Sequence, residues 1–285
     1  MKISIIVPTY NNLNFLKFFI SSVKDNSYYD HEIIVHVNDG SDGTLEYIKQ
    51  NNISHTHSID NIGMCYAVNK ASSKSSTNFI LYAHDDMYFC KNWDLFLENE
   101  VKKYKNNLYY ISGTTISYGD AIIKYDCGTS PDNFDFIKFN KFCENDKSFD
   151  LQGSHWAPHL IHKELWNKVG GFSHEFNPGD GSDPDLCMKL WNENVRVFKC
   201  LSQFKVYHFG SVTTRKRDVK KNNGTKIFLL KWGFNPRFFR KHYLKDDGKA
   251  HYEGALNVPR KNFIMAYELG INKLKYLYHK FISKI

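Results

Sequence analysis

The chain has 285 residues, of which 42% are hydrophobic and 24% charged. With no long polar tract, that mixture reads as globular rather than disordered, and the length allows one large domain or a core with a smaller appendage. Lys and Arg outnumber Asp and Glu by 38 to 30. The resulting charge of +8 calls for an anionic partner without choosing among nucleic acid, anionic lipid and a phosphorylated small molecule.

The β-branched run KISIIVPTY predicts a central strand that feeds a loop at Pro8. In the following segment Leu13, Leu16, Phe19 and Ile20 recur at helical spacing behind Asn11 and Asn12, either of which can cap a helix. HEIIVHVNDGSDGT predicts a second strand ending in an Asx- and Gly-rich loop, with the short helix LEYIKQ after it. A third strand is expected near ISHTHS, a helix over GMCYAVNKASSKS and a fourth strand at NFILYAHDD. Strands alternating with helices in this way predict an α/β protein with a parallel sheet, in which ligands bind beyond the carboxyl ends of the strands. Pro8, Thr9, Tyr10, Asp39, Asp85 and Asp86 are expected to converge there.

Farther along, NWDLFLENEVKKYKN predicts a helix, LYYISGTTISY a strand and residues 119–150 irregular chain. HLIHKELWNKVGGF reads as a short helix ended by Gly170 and Gly171. A further helix is expected at DPDLCMKLWNEN, and two short strands at VRVFKC and FKVYHFG. The remainder is a basic, aromatic tail with helical spacing. There is no internal repeat and no low-complexity segment.

The six cysteines form no Cys-x-x-Cys pair, and the apolar run after Met1-Lys2 is cut by Pro8 before it reaches the length of a secretory leader. These features predict a reducing cytoplasm and argue against structural zinc. No stretch approaches the ~18 apolar residues of a membrane span.

Three acidic clusters carry the chemistry. Adjacent Asp85 and Asp86 raise each other's proton affinity unless a cation or hydrogen bonds compensate, and a divalent cation bridging to phosphate would do so. Asp39, followed by Gly40 and Ser41, suits acceptance from a base or ribose at a strand end. Asp180, Asp183 and Asp185 sit at an expected helix start, where one carboxylate can act as general base. Taken singly, a solvated turn accounts for the first two clusters and ordinary capping for part of the third. His208 at the end of a strand is a candidate metal ligand beside Asp86. Lys199, Lys205, Arg215, Lys216 and Arg217 are candidates to grip a diphosphate.

In chain order, SIIVPTYNN, VNDGSDGT, YAHDDM, VGGFSHEF, GSDPDLCMKLW and HFGSVTT together resemble the inverting glycosyltransferases of family 2, over roughly residues 1–215. The resemblance implies a glycosyltransferase A-type fold, with a Rossmann-like, mostly parallel central sheet flanked by helices. It places a nucleotide-sugar-binding and catalytic domain at 1–215, followed by a basic, aromatic, mainly helical region at 216–285. It implies that Pro8, Thr9, Tyr10 and Asp39 line a nucleotide pocket, usually for uracil. Asp85 would contact ribose or donor sugar, and Asp86 with His208 would hold Mn2+ or Mg2+. Ala83 stands where many relatives have the first Asp of an Asp-x-Asp. Asp183 would be the catalytic base, with Asp185 and Asp180 as alternatives, and Trp156 and His159 would contact the acceptor.

The expected function is transfer from a nucleotide sugar to a hydroxyl of a glycan or lipid-linked glycan, in bacterial surface polysaccharide synthesis. The expected location is the cytoplasm, on the inner face of the plasma membrane if the tail lies on anionic lipid; a helical cap over the core is the other reading of the tail. Two alternatives remain: a nucleotidyltransferase acting on sugar phosphates, although no Gly-rich phosphate loop with Lys follows the first strand, and a nucleic-acid-binding module. The latter leaves the acidic clusters unexplained, so no nucleic-acid partner is expected.

Overall fold

The computed structural model describes residues 1–210 and 222–282. The first third of the chain alternates as predicted: β1 (Ser4–Tyr10), α1 (Leu13–Asn26), β2 (Glu32–Asn38), α2 (Thr44–Gln50), β3 (Ser54–Ser58), α3 (Met64–Ser72) and β4 (Phe79–Tyr82). All neighbours within β3-β2-β1-β4 pair in parallel. Helix α1 forms because Phe15, Leu16, Phe19, Ile20 and Val23 share one face, which is buried. The strand order reverses between β1 and β4, so their carboxyl ends open a crevice at the switch point.

The second half of the sheet is mixed. Its strands are β5 (Met87–Phe89), β6 (Tyr109–Ser117), β7 (Ile123–Lys124), β8 (Leu151–Gln152), β9 (His159–His162) and β10 (Val197–His208). The full order is β3-β2-β1-β4-β9-β6-β10-β5, with β7 on β6 and β8 on β10. Strand β9 runs antiparallel to both β4 and β6, and β10 runs parallel to β6 and antiparallel to β5. Around the sheet lie α4 (Trp93–Val101), α5 (Phe136–Asn145), α6 (Lys163–Val169) and α7 (Ser182–Asn192), followed by α8 (Gly224–Trp232), α9 (Pro236–Phe239) and α10 (Phe263–Ile282). The fold is the α/β, glycosyltransferase A-type arrangement expected.

Three local expectations change. HLIH belongs to β9 and not to a helix, because the slot between β4 and β6 satisfies its backbone groups on both sides; only Lys163–Val169 is helical, ended by Gly170 in the left-handed region. The two short strands expected after residue 195 are one, β10, with a register shift between Leu201 and Lys205. Residues 119–150 are not wholly irregular but contain β7 and α5, the latter burying Phe139. The division expected at 215/216 falls outside the described residues.

Candidate active site

The crevice at the switch point is a cavity of about 470 Å3. Pro8, Thr9 and Tyr10 reach it from β1, Asn38 from β2, Tyr82 from β4, and His84, Asp85 and Asp86 from the turn that follows. The opposite rim is made by Asn61, Gly63 and Met64 together with Pro178, Gly179, Asp180 and Asp183. These two rim loops are stitched together: the Met64 amide donates to the Pro178 carbonyl at 3.0 Å, and the Asn177 amide nitrogen donates to the Ile62 carbonyl at 2.8 Å. Gly63 has φ +81° and lies against the Asn177 side chain where a Cβ would sit, so both conformation and space require glycine.

On one side of the cavity a His–Asp–His cluster forms. His84 Nδ1 lies 3.3 Å from His208 Nε2, and His208 Nε2 lies 3.1 Å from Asp86 Oδ1. One donor atom from each residue falls within 4.8 Å of the others. Burial, and then the neighbouring His208, push His84 down to about 4, which leaves its imidazole neutral and its lone pair available at physiological pH. Two imidazoles and a carboxylate fit a divalent cation, and the nitrogen donors favour Mn2+ over Mg2+. Ala83, where relatives carry an acid, is buried and offers no ligand. Asp85 points elsewhere: its Oδ2 accepts from the Thr9 hydroxyl at 2.6 Å. Burial, followed by the charge of Asp86, raises its proton affinity, while Thr9 and Asn12 partly oppose this.

Across the cavity is Asp183, in the first turn of α7. Its Oδ1 is buried and has no hydrogen-bond partner among the described residues. Burial pushes its carboxyl up to about 7, where the ionised form is a competent base at neutral pH. Asp185, two residues on, is in a different situation. It accepts from the Ser173 hydroxyl at 2.6 Å and the Trp232 indole at 2.8 Å, and pairs with Lys231 at 2.9 Å. It does not line the cavity, and its oxygens are committed to holding α8 against α7. Asp180 does line the cavity, but its carboxylate accepts from the Gly224 amide at 3.0 Å, while Asn222 clamps its peptide from both sides at 3.1 and 2.8 Å. A Cβ on Gly224 would overlap the Asp180 carbonyl, so α8 can start this close to the acidic loop only with glycine at that position.

Of the remaining expected site residues, Asp39 follows β2 with φ +62° and accepts from Asn11 at 2.7 Å and the Ser41 amide at 3.1 Å. It orders its loop, and it is Asn38 that lines the cavity. His159 and Trp156, expected at the acceptor, lie off the cavity. His159 is buried within the sheet among Tyr82, Tyr110 and Phe172, and Trp156 sits 5.4 Å from the Arg240 guanidinium. Lys199 and Lys205 do not line the cavity and are paired with acids elsewhere: Lys199 with Glu100 and Asp150 at 2.8 and 2.7 Å, and Lys205 with Asp146 at 3.2 Å. Arg215, Lys216 and Arg217 lie outside the described residues. The sequence reading missed His84 as a partner of Asp86, two residues on in the turn after β4, because the pairing depends on His208 from a distant strand. It also missed Asn222, for which the local sequence holds no signal.

A switch-point crevice with a His–Asp–His cluster able to hold a cation on one side and Asp180 and Asp183 on the other fits the scaffold of a glycosyltransferase A-type enzyme. The chain belongs to glycosyl transferase family 2, which residues 4–167 match. Among solved structures it is similar to GalNAc-T7 with UDP, GalNAc and Mn2+, with 15% identity and a TM-score of 0.56, covering 79% of this chain and 45% of that one. It is also similar to S. aureus TarS, with 16% identity and a TM-score of 0.53 over 80% of this chain and 42% of that one. For TarS 1-349 in complex with UDP the values are 14% and 0.54, over 80% and 70%. These likenesses are of fold, and the chain spans less than half the length of the first two proteins. No curated protein matches it in sequence.

Proposed function

We propose that the chain transfers a sugar from a UDP-sugar to a hydroxyl of a glycan or lipid-linked glycan, with inversion, in the assembly of a bacterial surface polysaccharide at the inner face of the plasma membrane. The observation that carries this reading is the placement on one cavity of the His84–Asp86–His208 cluster and of Asp183, whose Oδ1 has no hydrogen-bond partner among the described residues. Neighbours of the same fold bind UDP and, in one case, Mn2+.

In this reading Pro8, Thr9, Tyr10 and Asn38 line the nucleotide end, and Asp85, oriented by Thr9, accepts from a hydroxyl of ribose or donor sugar. His84, Asp86 and His208 would hold a cation, which would offset the charge developing on the departing diphosphate. Asp183 takes the proton from the acceptor hydroxyl. The acceptor oxygen then bonds to C1 of the sugar from the face opposite the nucleotide, the C1–phosphate bond breaks, and UDP leaves with its electron pair. Asp183 is preferred over Asp180 and Asp185 because its Oδ1 is not already taken by a hydrogen bond.

The test measures UDP release from a panel of UDP-sugars with Mn2+ and with EDTA. One donor should be turned over, and EDTA or Asp86→Ala should abolish the turnover. Asp183→Asn should remove transfer by at least about 10^2-fold while calorimetry still detects UDP binding. Retained turnover in Asp183→Asn removes it from the base role, and release of pyrophosphate in place of UDP indicates a nucleotidyltransferase.

A further inference from the structure

The two faces of α10 are unequal. Toward the protein it buries only Met265 and Asn272, and it hangs there by polar contacts: the Asn235 amide donates to Asn272 at 2.9 Å, and Lys241 and His242 hold Glu268. On the opposite side Phe263, Leu274 and Phe281 are 87%, 69% and 68% exposed. At ~100° per residue, Phe263, Tyr267, Leu274, Leu277, Tyr278 and Phe281 fall within about 100° of arc. An apolar face that wide ordinarily turns toward a core, but this one turns away. Exposed Lys273 and Lys280 border it on one edge and Lys275 on the other. The only acid in the helix, Glu268, is held on the protein side.

We infer that this face of α10 is a docking surface for an anionic lipid membrane, lying in the plane of the interface. Apolar and aromatic side chains between rows of lysines suit the acyl–headgroup boundary, with the stripe entering the apolar layer and the ammonium groups reaching up to lipid phosphates. No helix among the described residues is long and apolar enough to cross a membrane, so α10 lies on the bilayer and does not span it. A second copy of the chain is the poorer occupant, because it would bring one formal charge of +8 against another. The inference needs only α10 and is independent of the transferase reading.

The experiment floats the full chain with vesicles of phosphatidylcholine, with and without phosphatidylglycerol, and follows tryptophan emission of a Leu274→Trp variant. Binding is expected only with phosphatidylglycerol, with loss at high salt and a blue shift at position 274. Each of Lys273→Glu, Lys275→Glu and Lys280→Glu should weaken binding about fivefold or more. A Leu274→Ser, Phe281→Ser variant should stay in the unbound fraction with its melting temperature unchanged. Equal binding to neutral vesicles, or none to anionic vesicles at low salt, overturns the inference. So does a concentration-dependent dimer in sedimentation that the double serine variant abolishes, which would assign the face to a second copy.

Discussion

Helices α8 and α10 share a composition of aromatic, aliphatic and basic residues, but one is built into the active site and the other lies along its own outer edge. In α8, Phe228 and Leu229 are buried, Lys231 and Trp232 meet Asp185, and Gly224 rests on Asp180. In α10 the apolar residues face outward, and Lys273, Lys275 and Lys280 have no acid of their own helix to meet on that face. What separates them is where the lysines beside the apolar residues lie: in α8 Lys231 reaches the buried carboxylate of Asp185, whereas those flanking the apolar face of α10 meet no acid of their own helix. The basic, aromatic tail is therefore both a cap and a free surface, in successive segments.

The largest effect that tests this contrast is expected at Gly224. Adding a methyl there displaces the acidic loop and with it Asp183. Gly224→Ala should lower kcat on the order of 10^2-fold with the fold retained. It should also move the acidic limb of the pH–rate profile below the value of about 7 that burial gives Asp183, since a displaced carboxylate is better hydrated. A pH–rate series on the pure variant checks both, and an unchanged limb would mean that α8 does not set the environment of Asp183.

Next come the two carboxylates that α8 treats differently. Asp183 has a raised affinity for its proton, so its contribution to stability is full below the unfolded value of 3.8 and is lost as pH rises through about 7. Asp183→Asn should therefore stabilise the fold on the order of 2 kcal/mol at pH 8 and have little effect at pH 4. Asp185→Asn, which removes the buried carboxylate that pairs with the more exposed Lys231, should destabilise it by about 2 kcal/mol at pH 8. Urea unfolding of both variants at the two pH values reads out the opposite signs. Smaller again is Trp232→Phe, which removes a single hydrogen bond to Asp185 and should cost about 1 kcal/mol in the same assay. The smallest effect belongs to α10: Leu274→Ser should change stability by less than about 0.5 kcal/mol and leave UDP release in solution untouched.

The parallel half of the sheet was legible because β1, β2 and β4 are apolar runs between helices of clear period, and the crevice followed from their order. Asp85, Asp86 and Asp183 were legible because acids at strand ends and helix starts stand out locally. The rest depends on pairings distant in sequence. His159 looked like a ligand contact, but it is enclosed because β9 fills a slot between β4 and β6. Asp185 differs from Asp183 through Ser173, twelve positions earlier, and through Lys231 and Trp232, more than forty positions later. His84 joined the cluster of candidate ligands only once β10 delivered His208 beside it.

That delivery bears on how the molecule assembles. β10 is the last strand among the described residues, and it docks between β6 and β5 with His208 at its end, 124 positions from His84. Contacts of such long sequence separation close late, after the loop entropy of the intervening chain has been overcome. A cation that requires His84, Asp86 and His208 together would bind only chains whose sheet is complete, and would stabilise those alone. Metal affinity would then report on maturation of the protein, separating finished molecules from partly folded ones before any sugar is bound.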